Sequence, residues 1–492
     1  MSAKCQVMSE RQRPLLLVCM LLLVGGVASA APTVSALDNG LKVCVAEDYS
    51  SDVVAVQVII HATADCEPDD KAGLRTVLQH ALRAACDKQI EADEKLSFLL
   101  DMDDSGAGLS LNTDWEYVAL GYTGTTETLE GALAFLAQAM FRPELTEELF
   151  TSARDLVQQA AGGPAGAPAE STMSLFRLAL LHRAPRAFPL GTPTTIGNLS
   201  LADISAFRQR FYVPSLTTVA VLGPVEAGRA QQMVKAQFGG LPAGDPTLPP
   251  PPEANPESDV RVGGNTGLSS PDARRMDIAS LVVGVPAPGL GDPDEAVTYV
   301  MHAILGADGA ADGRIEGDEK LWEALGLPFG RDESGRGQFI ESLPPPTSLR
   351  SYLAIHAYIA PRQAETARQA LLKSFESLAQ AAPTGDEVRR AREYVAGSLG
   401  VLYDTPANRA LLMGRAATLG RGDLTGTTFT QQVMRVTPDD VRRVAKAYFG
   451  THGVGIEFPE DAPDDTGEAA QMGASEDWMN SEGRPGGDWL GE

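Results

Sequence analysis

Three side chains able to do chemistry share one side of an otherwise apolar helical stretch. In "GLRTVLQHALRAAC" (73–86), Thr76, Gln79 and His80 stand at i, i+3 and i+4, a spacing that puts them on one helical face. An imidazole binds metals and moves protons near neutral pH. A hydroxyl is a poor metal ligand, and a carboxamide takes up no proton near neutrality. The face is therefore either ordinary polar surface or the remains of a metal site. The rest of the stretch is regular: Leu74, Val77, Leu78, Ala81, Leu82 and Ala85 form a clean helical stripe. His61, His182, His302, His356 and His452 are scattered singly, and no HxxxH occurs.

The elements that must position this helix read as follows. "LKVCVAE" (41–47) and "VVAVQVIIHA" (53–62) are strands, rich in Val and Ile and preceded by the turn residues Asp38-Asn39-Gly40. "GAGLSLNTDWEYVALGYTG" (106–124) is a strand pair. Helices follow over 128–141, 146–162, 171–181 and 200–212, the last with Ser200 as N-cap and Asp203 in its first turn. A strand over 216–225 and a helix over 226–242 complete the set. Residues 243–272 are dominated by Pro, Gly and small polar residues and read as an interdomain linker.

Beyond it the same order returns: strand 276–288, helix 294–306, strand 348–360, helices 362–380, 384–403 and 437–450, strand 454–459. The endings "SLADISAFRQRFY … LTTVAVLGP" and "TPDDVRRVAKAYFG … HGVGIEFP" align as a capped helix, an aromatic and a short strand. This is a duplication with a period of roughly 210–220 residues, too long for a solenoid. The expected fold class is α+β: two homologous α/β-sandwich domains, each an antiparallel-rich sheet covered by helices. The expected boundaries are 1–30, 31–242, 243–272, 273–459 and 460–492.

The chain has 492 residues, 43% hydrophobic and 21% charged, enough for two or three domains. A formal net charge of -25 argues against a nucleic-acid partner, which calls for a basic face. The N-terminus has Lys4, Arg11 and Arg13, then an apolar run over 15–24, then Ala28-Ser29-Ala30. That order reads as a secretory signal peptide cut after about Ala30; an uncleaved anchor is the alternative. Export would place the mature chain in a periplasm or outside the cell, with no membrane span left after cleavage. Cys44, Cys66 and Cys86 remain, with no CxxC, and read as mostly buried thiols. Residues 460–492 hold ten acidic residues and one Arg, and read as a disordered tail carrying Trp478 and Trp489.

The order of elements, with "LDNGLKVCVAEDYSSDVVAVQVII", "DISAFRQRFYVPSLTTVAVLGPV … AQFGGLPAG" and "TPDDVRRVAKAYFG", resembles the pitrilysin/insulinase zinc peptidases, which include the mitochondrial processing peptidase. The resemblance spans about 35–460 and is carried by the set of phrases rather than any one. Its motif is H-x-x-E-H on a helix, with two His on one Zn²⁺ and the Glu as general base. A further Glu from a later helix completes the ligands. By this resemblance, Thr76 holds the first His position, Gln79 the Glu position, and only His80 survives. With the register taken from Phe150, the later glutamates fall at Ala153 and Ala160. Asp155 lies about 140° around the helix from position 160. No zinc is therefore expected, and no catalytic residue.

The resemblance also implies an Arg and a Tyr in the second half that hold substrate. Here "LWEALGLPFG" (321–330) puts Trp322 and Phe329 in those places, and whether Arg314 substitutes is open from sequence. Family substrates add a strand to a sheet edge, which by position is Gly108, Leu109, Ser110, Leu111 and Asn112. The implied function is an exported non-catalytic peptidase homologue, partner of a zinc-bearing homologous subunit, contacting extended peptides. The alternatives are a stand-alone envelope scaffold and a zinc peptidase with atypical ligands. For His80 itself, a hydrogen-bonded helix histidine competes with a residual ligand.

Overall fold

The computed structural model describes residues 31–99, 108–162, 168–250, 258–265, 279–306, 313–315, 318–325, 340–346 and 348–459. The expected signal peptide, the acidic tail and Phe329 lie outside these residues.

Two sheets are built on one plan. The first half contributes β1 (Thr33–Ala36), β2 (Lys42–Glu47), β3 (Val53–Ile60), β4 (Gly108–Thr113), β5 (Val118–Thr125) and β6 (Thr217–Gly223), ordered β1-β2-β6-β3-β5-β4. The second contributes β7 (Ser258–Asn265), β8 (Ala279–Ala287), β9 (Ile340–Leu343), β10 (Ser351–Ile359) and β11 (Gly453–Pro459), ordered β7-β11-β8-β10-β9. Each has one parallel pair, β2 with β6 and β7 with β11, and the other pairings are antiparallel, four in the first sheet and three in the second. Apart from the extra edge strand β1, the two orders coincide, β2 through β6 answering β7 through β11. Strand β7 falls inside 243–272, read above as linker: "SDVRVGGN" forms a parallel partner for β11 there. Its two glycines hide it among the prolines that precede it.

The helices repeat in step. The first half has α1 (Leu74–Ala92), α2 (Leu129–Phe141), α3 (Glu147–Gly162), α4 (Pro168–Leu181), α5 (Leu201–Phe211) and α6 (Ala227–Phe238). The second has α7 (Glu295–Leu305), α8 (Glu319–Leu325), α9 (Ala364–Gln380), α10 (Gly385–Leu402), α11 (Pro406–Thr418), α12 (Thr427–Arg435) and α13 (Pro438–Tyr448). Helices α5 and α13 both open with a reciprocal capping box, Ser200 with Asp203 and Thr437 with Asp440. Each leads into the strand that pairs in parallel with its neighbour, β6 with β2 and β11 with β7.

The sheets are buried on both faces, and side-chain size decides what covers each. On one face of the first sheet, Val43, Val45, Val56, Val58 and Ile60 join Leu78, Leu82, Leu133 and Phe238 in a large core. On the other, Cys44, Ala46, Ala55 and Ala220 meet Ala410, Met413 and Ala417 of α11, a helix from the second half. The small residues let that helix approach closely; a Cβ on Gly414 would sit 2.6 Å from Ile59 Cδ1. The exchange is reciprocal. Helix α4, from the first half, packs Met173, Phe176 and Leu180 against Val282, Tyr352 and Ala354 of the second sheet. Ser171 and Thr172 at its start donate to the buried Glu457 of β11, at 2.6 and 2.7 Å. Each half thus closes the other's sheet, so neither outer face is left to water. Among the described residues no helix is long and apolar enough to cross a membrane. Cys44, Cys66 and Cys86 are free thiols, and Cys66 is half-buried rather than buried.

Candidate functional site

Helix α1 is nailed at its start. Gly73 precedes it with φ +91°, and a Cβ there would lie 2.6 Å from Leu190 O. Gly191, φ +77°, meets Ala72 O in the same way. Both positions demand glycine, for conformation and for space. The Glu67 carboxylate accepts from the backbone N–H of Gly73 (2.8 Å) and Leu74 (3.0 Å), the partial positive end of the helix. It also accepts from Arg75 Nε at 2.6 Å. Arg75 Nη1 donates to Ala62 O (2.9 Å) beyond β3 and to Asp114 O (2.7 Å) between β4 and β5. The first turn of α1 is therefore fixed to both flanking strands.

One turn on come the three residues singled out above. The Thr76 hydroxyl donates to Pro189 O at 2.8 Å. Gln79 is 1% exposed, and neither Nε2 nor Oε1 meets a hydrogen-bond partner among the described residues. His80 is half-buried. The polar face is thus not ordinary solvent surface, since two of its three residues are buried. They line a cavity of about 620 Å³. Across it stand Leu111 and Thr113 from β4, Trp115 from the β4–β5 connection, Arg177 from α4, and Pro346 and Tyr352 from the second half. The exchanged helix is what brings the two halves together over α1.

These residues do not fit zinc. The Thr76 oxygen is spent on a carbonyl, the Gln79 amide is neutral, and a single imidazole remains. On α3 the buried positions are Phe150, Ala153 and Val157, all apolar. Ala160, read as the third-ligand position, continues the line of Ala153 and Val157 but is exposed near the end of α3, and its methyl offers no ligand. Among the described residues no three His, Cys, Asp or Glu side chains gather as a metal site.

Burial lowers the His80 imidazole below its ordinary 6.5, leaving it neutral at pH 7. A base so lowered contributes stability above its unfolded pKa that is lost as pH falls below it. The ring resonance of His80 in an NMR titration is expected to turn over below pH 6.5, and a midpoint at or above 6.5 contradicts the burial.

The other expected contacts divide. Strand β4 is an edge, as expected. Leu111 lines the cavity; Gly108 and Leu109 are buried, while Ser110 and Asn112 face solvent. Trp322 is a correction: it is 3% exposed in the core of the second half and does not line the cavity, because α8 turns its apolar stripe inward. Arg314 does not replace the missing cation there, since it bonds Glu387 Oε1 (2.6 Å) and Ser377. A different cluster faces the site. Arg177 Nε donates to the Tyr352 hydroxyl at 3.0 Å, and its guanidinium lies 5.6 Å from the Trp115 ring. A second guanidinium, Arg186, lies 5.4 Å from the same ring. Sequence reasoning passed over this cluster, although one arginine inside the apolar run "STMSLFRLALL" was a signal.

Residues 42–176 match the family described as Insulinase (Peptidase family M16), and residues 198–395 the Peptidase M16 inactive domain. The chain is 24% identical over 277 residues to a zinc protease, PqqE, of Helicobacter pylori, covering 55% of this chain and 60% of that one, less than two thirds of its length. It is 23% identical to an uncharacterized zinc protease of Mycobacterium tuberculosis over 88% of this chain and 96% of the relative. Among solved structures it superposes on a Helicobacter pylori protease with TM-score 0.69 at 18% identity, over 88% of this chain and 100% of that one. A Pseudomonas fluorescens peptidase M16 inactive domain gives 0.70 at 17% identity, over 87% and 98%. A chain of complex III2 from Candida albicans gives 0.65 at 15%, over 86% and 95%.

Proposed function

The chain belongs to the insulinase (M16) peptidase family, and we propose that it is an exported, non-catalytic member that holds extended peptides and pairs with a zinc-bearing homologue. One observation carries this reading: the helix that should bear the hydrolytic centre presents Thr76, Gln79 and His80 to a cavity that stays open between the halves. The binding architecture is kept where the ligands are gone. Strand addition along the β4 edge uses backbone groups and needs no particular side chain, so it survives the loss of catalysis. The Leu109 carbonyl, which accepts from Arg83 Nη1 at 3.3 Å, marks the open side of that edge. By strand alternation Leu111 and Thr113 turn their backbone groups the same way. The zinc proteases among the relatives supply the chemistry a partner would contribute.

The test is affinity purification of the tagged mature chain from native extracts, with elemental analysis of the product. The expected result is a co-purifying chain with an intact HxxEH, and zinc attributable to that chain alone. A monodisperse lone monomer would favour the stand-alone scaffold instead. Stoichiometric zinc in the isolated chain, with proteolysis lost in His80→Ala, would overturn the non-catalytic reading.

A further inference from the structure

Gln79 has no structural reason to be polar. It lies between Thr76 and His80 on the cavity side of a helix whose other side, Val77, Leu78, Ala81 and Leu82, is core. Its carboxamide is 1% exposed, and its donor and acceptor are both unanswered among the described residues. Each orphaned buried group is unfavourable by more than a lost hydrogen bond in water. A leucine of similar size would remove that penalty. The penalty also disappears if a ligand entering the cavity brings a matching acceptor and donor.

A peptide bond is that ligand. Its C=O and N–H complement the Nε2 and Oε1 of one carboxamide. The geometry of the cavity presents it in the right place. A strand added to β4 turns alternate peptide groups toward β4 and the others away from it. Helix α1 packs against β4, and Gln79 shares the cavity wall with Leu111 and Thr113. Resting on the peptide-binding reading above, we infer that Gln79 is the receptor for one peptide bond of a bound strand. Nε2 donates to its carbonyl and Oε1 accepts its N–H. No bond is made or broken; the residue in the general-base position now grips the backbone.

The measurement is an amide-to-ester scan by calorimetry on the full mature chain. The probe is acetyl-Lys-Val-Thr-Leu-Ala-Val-Thr-Lys-amide, whose basic ends suit a chain of net charge -25. Each internal amide is replaced in turn by an ester, which removes one N–H and weakens one carbonyl acceptor. In the wild type one position facing away from β4 is expected to lose about tenfold in affinity, the worth of one or two hydrogen bonds. In Gln79→Leu the parent peptide loses about the same factor, and that one position becomes insensitive while the β4-facing positions stay sensitive. A thermal melt no lower than wild type shows that Gln79→Leu is folded. If Gln79→Leu keeps the whole ester pattern, the inference falls and the peptide-binding reading stands. If no peptide of the series binds the wild type, both fall.

Discussion

Arg186→Met is expected to lose about 3–5 kcal/mol of stability in urea unfolding followed by circular dichroism, the cost of breaking a buried ionic network from one side. Arg186 is fully buried. Its Nε and Nη2 hold both oxygens of Asp65 at 2.5–3.0 Å. Its Nη1 donates to Glu116 Oε1 (3.2 Å) and to Ser348 Oγ (3.0 Å). The Glu116 oxygen also accepts from the Ser348 hydroxyl and from the Leu349 N–H at 3.2 Å, both in the second half. One cation thus joins two carboxylates of the first half to a loop of the second. Methionine fills much of the volume and supplies no donor, leaving Asp65 and Glu116 buried without their cation. The combined variant Arg186→Met, Asp65→Leu, Glu116→Leu removes the charges together and should recover part of the loss, since an apolar replacement of a whole buried network is often tolerated. A loss below about 1 kcal/mol in the single variant would mean that water reaches the network and screens it.

The duplication was readable because it rests on patterns that periodicity exposes: capping boxes at Ser200 and Thr437, Val-rich strands, the apolar stripe of α1. The parts that lock the halves were not. Helix α11 has Ala410, Gly414 and Ala417 where a stripe of large residues would have announced it, because it must lie close on a sheet of small residues. Smallness is what that interface selects, and smallness carries little periodic signal. Strand β7 was masked by the prolines before it. Trp322 looked exposed to substrate by position in a phrase, but burial depends on which way α8 turns. Arg177 and Tyr352 are 175 residues apart, and only the exchange of α4 brings them together. At the site itself, residue types told what Thr76 and Gln79 do not offer, a strong metal ligand or a base, since no fold makes a carboxamide a base. They could not tell that Thr76 and Gln79 are buried, which is what separates ordinary polar surface from the wall of a cavity.

Glu67→Gln should be nearly as costly, about 3 kcal/mol, and its effect should concentrate on the site helix. The substitution changes one oxygen to an amide and keeps the shape. Yet every group facing Glu67 in the structure is a donor: the N–H of Gly73, the N–H of Leu74 and the Arg75 guanidinium. A glutamine can answer them with one oxygen only, and its own NH₂ must point at another donor. Arg75, 2% exposed, is left without its counter-charge. Because Arg75 also ties α1 to Ala62 O and Asp114 O, loosening it frees the first turn from both β3 and the β4–β5 connection. Amide exchange at Val77 and Leu78 should therefore quicken more than at Leu133 in α2, and peptide affinity should fall although residue 67 does not line the cavity. Asp155→Asn, at an exposed acid on α3, serves as the comparison and should stay within about 0.5 kcal/mol of wild type. If Glu67→Gln left amide exchange in α1 no faster than in wild type, the helix would be held by its apolar stripe alone, and the carboxylate beneath its first turn would have no part in placing Gln79.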